Sequence, residues 1–410
     1  MNRIYFLIVV IAIYIAFDIY IFLVIKSLTE GMTSLLRKTV SISYVTISIM
    51  AIIGVLLYAR IDPEVYKNFR LFLSTFFFIF LIGKIFTVLF LFLDDLRRGI
   101  TWLVNLIPSA KEGYDTSRSD FMSKAAMVAG SIPIATMSFG IISGAHDYRV
   151  RRRVVNFPNL PKAFHGIRVA QISDIHTGSF FNKTAVKGGV EMLNAEKPDL
   201  IFFTGDLVNN RSDEAKEYLD IFKKVKAPLG TFSIMGNHDY GDYSSWSSPE
   251  EQKKDVLRLH EMHRYMEWNL LLNENEVIKV DGEELAILGC ENWGTGRFSK
   301  YGDMSKTVLG VEEHPFKILL SHDPSHWDAQ IRPEYPDIDL MLSGHTHGFQ
   351  FGVEIGNFRW SPVQYRYKQW ADLHQEGTQY LYVNRGYGYI GYPGRIGILP
   401  EITILELRSV

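Results

Sequence analysis

Four long apolar runs in the first 145 residues constrain this chain more than any other feature. They cover residues 4–25, 40–59, 71–93 and 125–145. An apolar helix of about 20 residues can cross the hydrocarbon core of a bilayer, and a soluble core does not need four of them in succession. The first run is longer than the roughly 7–15 apolar residues of a cleavable signal peptide. The sequence therefore predicts a transmembrane region over residues 1–147, with all four helices retained.

Lysine and arginine residues in the short loops normally set the orientation of such helices. In this chain the two sides tie at eight basic residues each. The densest cluster, RVRRR at 149–153, directly follows the fourth run. It favours a cytoplasmic amino terminus and a cytoplasmic location for everything after residue 149.

A few residues within the apolar region stand out. Asp18 and Lys84 interrupt the first and third runs at similar depth, and because charge inside a membrane is costly they must either pair or reach water. Gly140 and Gly144 in the fourth run have a spacing that lets another helix approach closely, and packing within the same four-helix bundle is preferred to dimerisation. Residues 96–107 form either a helix lying in the membrane interface or an ordinary connection.

The sequence changes character after Tyr148. Short β-rich runs, from GIRVAQIS at 166–173 to EITILEL at 401–407, alternate with helical patterns. This alternation predicts a mixed α/β domain over residues 166–410, which is long enough for one large core. Between the two regions, residues 148–165 carry the arginine cluster and two prolines. We predict a basic juxtamembrane linker there.

Charge and cysteine content exclude several classes of function. The sequence has 43 Lys and Arg against 45 Asp and Glu, so no chain-wide positive field exists and no specific nucleic-acid partner is expected. The single cysteine, Cys290, cannot form a disulfide within the chain or build a metal cluster. Its apolar surroundings, LAILGC, predict a buried core residue rather than a nucleophile.

Metal-ligand side chains follow five of the predicted strands. The motifs are DIH at 174–176, GDLV at 205–208, GNHD at 236–239, LLSHDP at 319–324 and GHTH at 344–347. Open α/β sheets place their sites at the carboxyl ends of the strands. Carboxylate, imidazole and amide oxygen together suit divalent ions such as Mn²⁺, Fe²⁺ or Zn²⁺. One such motif alone is typical of a turn, but five histidines in five strand-end motifs predict a metal centre.

This ordered motif set resembles that of the calcineurin-like metallophosphoesterases, and the chain looks like a membrane-anchored bacterial member. The resemblance covers residues 166–410 and implies a β-sandwich of two sheets flanked by helices, preceded here by the four-helix membrane region. It also implies two divalent metal ions, one held by Asp174, His176 and His347, the other by Asn237, His322 and His345. Asp206 would bridge the two ions. His238 would face the substrate phosphate, with Asp239 orienting its ring.

These residues predict a hydrolase that cleaves phosphate ester or pyrophosphate bonds. Two metal ions about 3.5–4 Å apart can share a hydroxide that attacks in line, and can neutralise charge on the phosphoryl oxygens. His238 would stabilise the transition state or protonate the leaving group. Four spans exceed what an anchor requires, which points to a lipid-linked substrate in the bilayer.

Two other classes of function stay open at this stage. One is a membrane binding or sensory protein that keeps the phosphoesterase domain as a scaffold, and the other is a transporter that uses Asp18 and Lys84. The complete motif set disfavours the first, and the sparse polarity of the spans disfavours the second. The expected location is a bacterial inner membrane with the catalytic domain in the cytoplasm. The oligomeric state is not predicted.

The sequence also supports predictions for residues outside the motifs. His260 and His263 are predicted to be solvated positions of a charged helix rather than ligands. Candidates for lining the mouth of the substrate site are Arg385, Tyr387, Tyr389, Tyr392 and Arg395.

Overall fold

The computed structural model describes residues 3–58, 60–61, 66–106, 116–356 and 358–410, and it divides into two compact units, residues 1–139 and 140–410. Four long helices stand out among the described residues of the amino-terminal part: α1 (Arg3–Leu28), α2 (Ser34–Tyr58), α3 (Lys67–Val104) and α4 (Thr116–Ile142). All four are long and apolar enough to cross a membrane. Residues 96–104 continue α3 without a break, so neither a separate interfacial helix nor a loop connection begins at residue 96, while Ile107 lies outside the described residues.

Asp18 and Lys84 form an ion pair inside the first unit. The Lys84 ammonium donates to Asp18 Oδ1 at 2.6 Å and to Ser48 Oγ at 2.9 Å, and the Ser48 hydroxyl donates to the same Asp18 oxygen at 2.6 Å. The ammonium also lies 3.5 Å from the centre of the Tyr14 ring. Of the two alternatives, the structure shows pairing, because the charges are satisfied by each other and by neighbouring polar groups.

Fourteen strands form in the described residues of the second unit. In chain order they are β1 (Arg149–Phe157), β2 (Ile167–Ile172), β3 (Leu200–Phe203), β4 (Thr231–Ser233), β5 (Asn269–Leu270), β6 (Glu274–Val280), β7 (Glu283–Gly289), β8 (Lys317–Leu320), β9 (Leu340–Ser343), β10 (Val353–Ile355), β11 (Phe358–Trp360), β12 (Asp372–Glu376), β13 (Gln379–Val383) and β14 (Glu401–Ser409). The helices are α5 (Lys183–Ala195), α6 (Leu219–Phe222), α7 (Pro249–Tyr265), α8 (Met304–Thr307) and α9 (Arg332–Glu334).

Twelve of these strands make two six-stranded sheets that pack face to face. One has the order β1-β14-β2-β3-β4-β5 and the other β12-β13-β9-β8-β7-β6, within the described residues. A buried cluster with Val169 and Phe202 from the first sheet and Ile318 and Leu342 from the second fills the space between them. Further apolar clusters cover the outer faces, with Val190 of α5 on one side and Met304 of α8 on the other. The predicted β-sandwich flanked by helices is confirmed.

The segment predicted to be a linker contains a strand. Residues 149–157 form β1, which pairs in parallel with β14 along its whole length. Its arginines contact carboxylates of the same unit: Arg152 Nε lies 2.9 Å from Glu196, Arg153 Nη2 lies 2.7 Å from Asp372, and Arg151 pairs with Glu354. Because these contacts are formed by residues distant in sequence, the local pattern of arginines and prolines concealed the strand.

Gly140 and Gly144 were predicted to pack against another helix of the four-helix bundle. In the structure they lie against residues 392–396 instead. An added Cβ atom would lie 2.1 Å from the Arg395 carbonyl oxygen at Gly144 and 2.7 Å from the Tyr392 hydroxyl at Gly140. The glycines therefore allow the backbone of residues 392–396 to approach the end of α4. The absence of a side chain has the expected steric role, but the partner is a loop.

Candidate metal centre

The five motifs meet at one edge of the sandwich. Strands β2, β3 and β4 run parallel to one another in the first sheet, and β8 and β9 run parallel in the second. Parallel strands present their carboxyl ends at the same edge. Each of these five strands is followed directly by one of the motifs.

Sharp turns at the strand ends aim the polar side chains inward. Positive φ angles occur at Asp174 (51°), His176 (50°), Asp206 (62°), His345 (69°) and His347 (50°). This left-handed region is uncommon for residues other than glycine, and such residues cluster at active sites. At Gly205, which has φ 94°, a Cβ atom would lie 2.5 Å from the Gly236 nitrogen. The second and third motifs can therefore approach each other this closely only because residue 205 is glycine.

One group of donors consists of Asp174, His176 and His347. The Nε2 atoms of the two histidines are 3.0 Å apart, and His347 Nε2 lies 3.2 Å from Asp174 Oδ1. All three side chains are buried, and their ligand atoms lie within 4.8 Å of one another.

A second group consists of Asp206, His322 and His345, joined by Asn237. His322 Nε2 lies 3.1 Å from Asp206 Oδ2, and His345 Nδ1 lies 2.8 Å from Asn237 Oδ1. His176 Nε2 of the first group is 3.5 Å from the same Asp206 Oδ2 atom. One carboxylate oxygen thus lies between the two groups, and the structure brings all seven predicted ligands to one place.

This set of donors fits divalent cations. The Nε2 atoms of His176 and His347 lie 3.0 Å apart with carboxylate oxygens beside them, so nitrogen and oxygen donors meet around a common point. Nitrogen and oxygen donors in this combination suit Mn²⁺, Fe²⁺ and Zn²⁺.

The second ring nitrogens of the histidines hold the rings in place. His176 Nδ1 lies 3.2 Å from the Val208 carbonyl and His322 Nδ1 lies 2.7 Å from the Thr204 carbonyl, so both Nε2 atoms point into the site. His345 is turned the other way, with Nε2 2.9 Å from the Tyr367 hydroxyl and Nδ1 toward Asn237. Tyr367 was missed by the sequence analysis because no motif contains it.

The charges of the site reinforce one another. Burial lowers the pKa of His176 to about 3, which keeps this imidazole neutral as a ligand must be. Burial alone would raise the pKa of Asp206, but the positive charge of His322 outweighs it and holds the pKa well below the usual range. Burial lowers the pKa of His322, yet the Asp206 charge opposes it and raises the value to about 10. A cation bound there would displace this proton.

His238 lies beside the donor groups and is partly exposed. Its Nδ1 is 2.6 Å from the Asn209 carbonyl oxygen, and its ring contacts the rings of His176 and Tyr243. Because a carbonyl only accepts, Nδ1 carries the proton and Nε2 is the nitrogen available to a substrate.

Asp239 was predicted to orient the His238 ring, but its side chain bonds to backbone N–H groups instead. Its carboxylate accepts hydrogen bonds from the backbone N–H groups of Asp206, Leu207, Val208 and Gly236, at 2.8–3.2 Å. Burial and the charge of Asp206 raise its pKa to about 7, against the effect of these amides. The side chain of Asp239 is directed toward the backbone of the second motif, and its hydrogen bonds stabilise the turn that carries Asp206. The His238 ring is oriented by the Asn209 carbonyl.

Several predictions for residues outside the motifs are wrong. The proposed mouth residues Arg385, Tyr387, Tyr389 and Arg395 are buried, and Arg385 donates to Glu401 Oε2 at 2.6 Å. His263 is also buried, 2.9 Å from the Ser233 hydroxyl, because α7 packs this face on the first sheet.

Cys290 is a buried core residue as expected, and burial raises the pKa of its thiol to about 12.

Comparison with known proteins identifies the family of the chain. A family model described as "Calcineurin-like phosphoesterase" matches residues 167–349, and one described as "Probable Calcineurin-like phosphoesterase, transmembrane domain" matches residues 2–145. The uncharacterized metallophosphoesterase YkuE of Bacillus subtilis is 31% identical over 268 residues, which are 64% of this chain and 87% of that protein. The chain belongs to the calcineurin-like metallophosphoesterase family.

Other relatives of this metallophosphoesterase occur in bacteria and animals. Phosphodiesterase YaeI of Escherichia coli is 26% identical over 63% of this chain and 87% of its own length. A bovine "transmembrane protein with metallophosphoesterase domain" is 27% identical over 66% of this chain, which spans 59% of that protein. The predicted membrane-anchored phosphoesterase hydrolase is therefore confirmed at the level of the family, and the four apolar helices make it a membrane protein.

Proposed function

We propose that this metallophosphoesterase uses two divalent metal ions to hydrolyse phosphate ester or pyrophosphate bonds at the membrane. The observation that carries the proposal is the position of Asp206 Oδ2, 3.5 Å from His176 Nε2 in one donor group and 3.1 Å from His322 Nε2 in the other. Such an oxygen can serve two ions at once. When bound, the ions would supply a nucleophile at neutral pH and neutralise charge on the phosphoryl oxygens.

The two donor groups carry unequal charge. Asp174 contributes a carboxylate to the first group, whereas Asn237 contributes a neutral amide oxygen to the corresponding place in the second. An ion in the second group, held with His322 and His345, would keep more of its positive charge. We infer that an ion held by the second group would bind the phosphoryl oxygen of the substrate.

His238 is the proposed acid–base residue. Its Nδ1–H bond to the Asn209 carbonyl leaves Nε2 to hold or transfer a proton at the leaving group. Its partial exposure beside the buried donors is what such a role requires.

We propose a lipid-linked phosphate or pyrophosphate as the substrate. Support comes from the number of apolar helices, since one would be enough to anchor the domain. Turnover of phospholipids and nucleotide-linked lipids, compared with soluble nucleotides, tests this point. Faster turnover of soluble nucleotides would contradict it.

The test of the reaction uses the full chain purified in detergent. We expect bis-p-nitrophenyl phosphate hydrolysis to disappear with a chelator and to return with Mn²⁺, Fe²⁺ or Zn²⁺. Asp206→Asn and His345→Ala should each lose bound metal and nearly all turnover, whereas His260→Ala, on α7 outside the donor groups, should lose neither. Full activity in Asp206→Asn would refute the two-metal proposal. An intact metal content without any hydrolysis would favour the scaffold alternative.

We further propose a bacterial inner-membrane location with the catalytic domain in the cytoplasm. The support is the basic cluster at 149–153, in which Arg151, Arg152 and Arg153 also pair with carboxylates of their own unit. Reporter fusions at residue 150 and at the carboxyl terminus test the orientation. Activity of a reporter that works only outside the cytoplasm would reverse it.

A further inference from the structure

A hairpin that follows the GHTH motif carries its apolar side chains on one face. Strands β10 and β11 form a two-stranded antiparallel sheet of their own, with Val353 opposite Trp360 and Ile355 opposite Phe358. The remaining pair is Glu354 with Arg359. Because residues directly opposite one another share a face, the hairpin has one apolar and one charged side.

The charged side faces the body of the domain. Glu354 Oε1 accepts from Arg385 Nη2 at 2.7 Å, and Arg359 Nη1 lies 3.1 Å from Asp372 Oδ2. Arg385 and Asp372 are themselves buried. The apolar side must then face away from the domain, which is the reverse of the usual pattern in a soluble protein.

We name this apolar side the outer hairpin face; it consists of Phe351, Val353, Ile355, Phe358 and Trp360. Ile355 is 72% exposed and Phe358 is 62% exposed. The nearby Phe349 is 64% exposed. A contiguous apolar patch of this kind marks an interaction surface rather than ordinary solvent-facing residues.

A short strip of backbone connects the outer hairpin face to the end of the fourth apolar helix. The Gly352 N–H donates to the Ile396 carbonyl at 2.9 Å, and the Ile396 N–H donates to the Gln350 carbonyl at 2.8 Å. The adjacent Arg395 N–H donates to the Gly140 carbonyl of α4 at 3.1 Å. Residues 395 and 396 therefore hold the hairpin beside the turn at which the helix ends.

We propose that the outer hairpin face docks into the interfacial layer of the bilayer that holds the four helices. The occupant is lipid, because the face is continuous with the last turn of an apolar helix of membrane-spanning length. Trp360 is of the type that sits at the level of lipid headgroups. This contact holds the turn at His345 and His347 next to the headgroup layer.

The test places a fluorophore on the hairpin of the full chain. Cys290 is the single cysteine of the sequence and is buried, so Ile355→Cys provides one accessible thiol for an environment-sensitive NBD label. Leu309→Cys is the matched control, because Leu309 is 71% exposed and lies outside the hairpin. Both proteins are placed in nanodiscs of phosphatidylethanolamine and phosphatidylglycerol, one chain per disc, with or without lipids spin-labelled near the headgroup.

We expect blue-shifted emission and at least threefold stronger quenching by the spin-labelled lipids at position 355 than at position 309. Equal quenching at the two positions would overturn the proposal. Absence of quenching at position 355 would also overturn it, since a face that binds a second copy instead of lipid stays in water when each disc holds one chain.

A second variant tests whether the apolar face itself makes the contact. In a Phe358→Cys chain with the same label, an added Ile355→Asp change should abolish the quenching, whereas an added Leu309→Asp change should leave it unaltered. Persistent quenching in the Ile355→Asp background would show that the contact does not depend on this face and would refute the proposal.

Discussion

Asp239 provides a direct test of how the centre is assembled. Its Oδ2 accepts from the N–H groups of Asp206 (2.8 Å) and Gly236 (2.9 Å), and its Oδ1 accepts from those of Leu207 (2.8 Å) and Val208 (3.2 Å). Asp239→Asn replaces one oxygen by an NH₂ group, which then faces two N–H donors. A hydrogen bond to a charged group contributes about 1.5–3 kcal/mol. Loss of two such bonds predicts a decrease of roughly 3–6 kcal/mol in the free energy of unfolding.

The same change should displace Asp206 and so reduce metal binding. The measurements are the Tm, the metal content and the kcat for bis-p-nitrophenyl phosphate of the full chain. Asp242→Asn is the control: Asp242 lies three residues further on, is exposed, and accepts from the side chains of Gln252 and Tyr301. Such a surface change should alter stability by no more than about 0.5 kcal/mol. If Asp239→Asn instead keeps its metal and its Tm while turnover falls, Asp239 orients the catalytic ring and our reasoning is refuted.

Three further predictions concern other parts of the molecule. His238→Asn should keep its metal content but lower kcat by about 10²–10⁴, and metal loss would contradict our assignment. Asp18→Asn and Lys84→Met should each destabilise the first unit by about 3–5 kcal/mol, because a single change leaves one buried charge unpaired. The double variant should lose less stability than either single variant. If the decreases in Tm measured in nanodiscs are instead additive, the ion pair does not stabilise the unit. Burial raises the pKa of Glu401, but the charge of Arg385 outweighs it and holds the value below 4.5. The stability from this carboxylate is therefore present above about pH 4.5 and is lost at lower pH, so the Tm difference between the native chain and Glu401→Gln should shrink on acidification, and a difference that is constant from pH 7 to pH 3 would contradict this.

The donor groups could be predicted because they depend on local patterns and on one general rule. Asp174, Asp206 and His345 each follow a short buried run, and parallel strands bring such positions to one edge. The β-sandwich came from the resemblance to a family whose motifs occur in the same order. Neither inference needed a side-chain angle or a distance.

The features that were missed depend on contacts between distant residues. The role of Asp239 follows from where its side chain meets the backbone 32 residues earlier. The orientation of the β10–β11 hairpin follows from the pairing of Glu354 with Arg385, and an alternating apolar pattern alone would have placed its apolar side inward. The arginines at 151–153 were assigned to a basic juxtamembrane linker, because their carboxylate partners come from elsewhere in the chain.

The pairing of β1 with β14 also sets an order on biosynthesis. Residues 149–157 have their sheet partner in residues 401–409, about 250 positions later. At about 5–20 residues per second, the ribosome needs on the order of 10 to 50 s to make the intervening chain. During that interval the four apolar helices are already complete while the first strand of the enzyme is unpaired. A chain that stops before residue 401 would also leave Arg385 without Glu401. A truncated protein should therefore be inserted but unable to close its catalytic domain, in a form that cellular quality control can recognise.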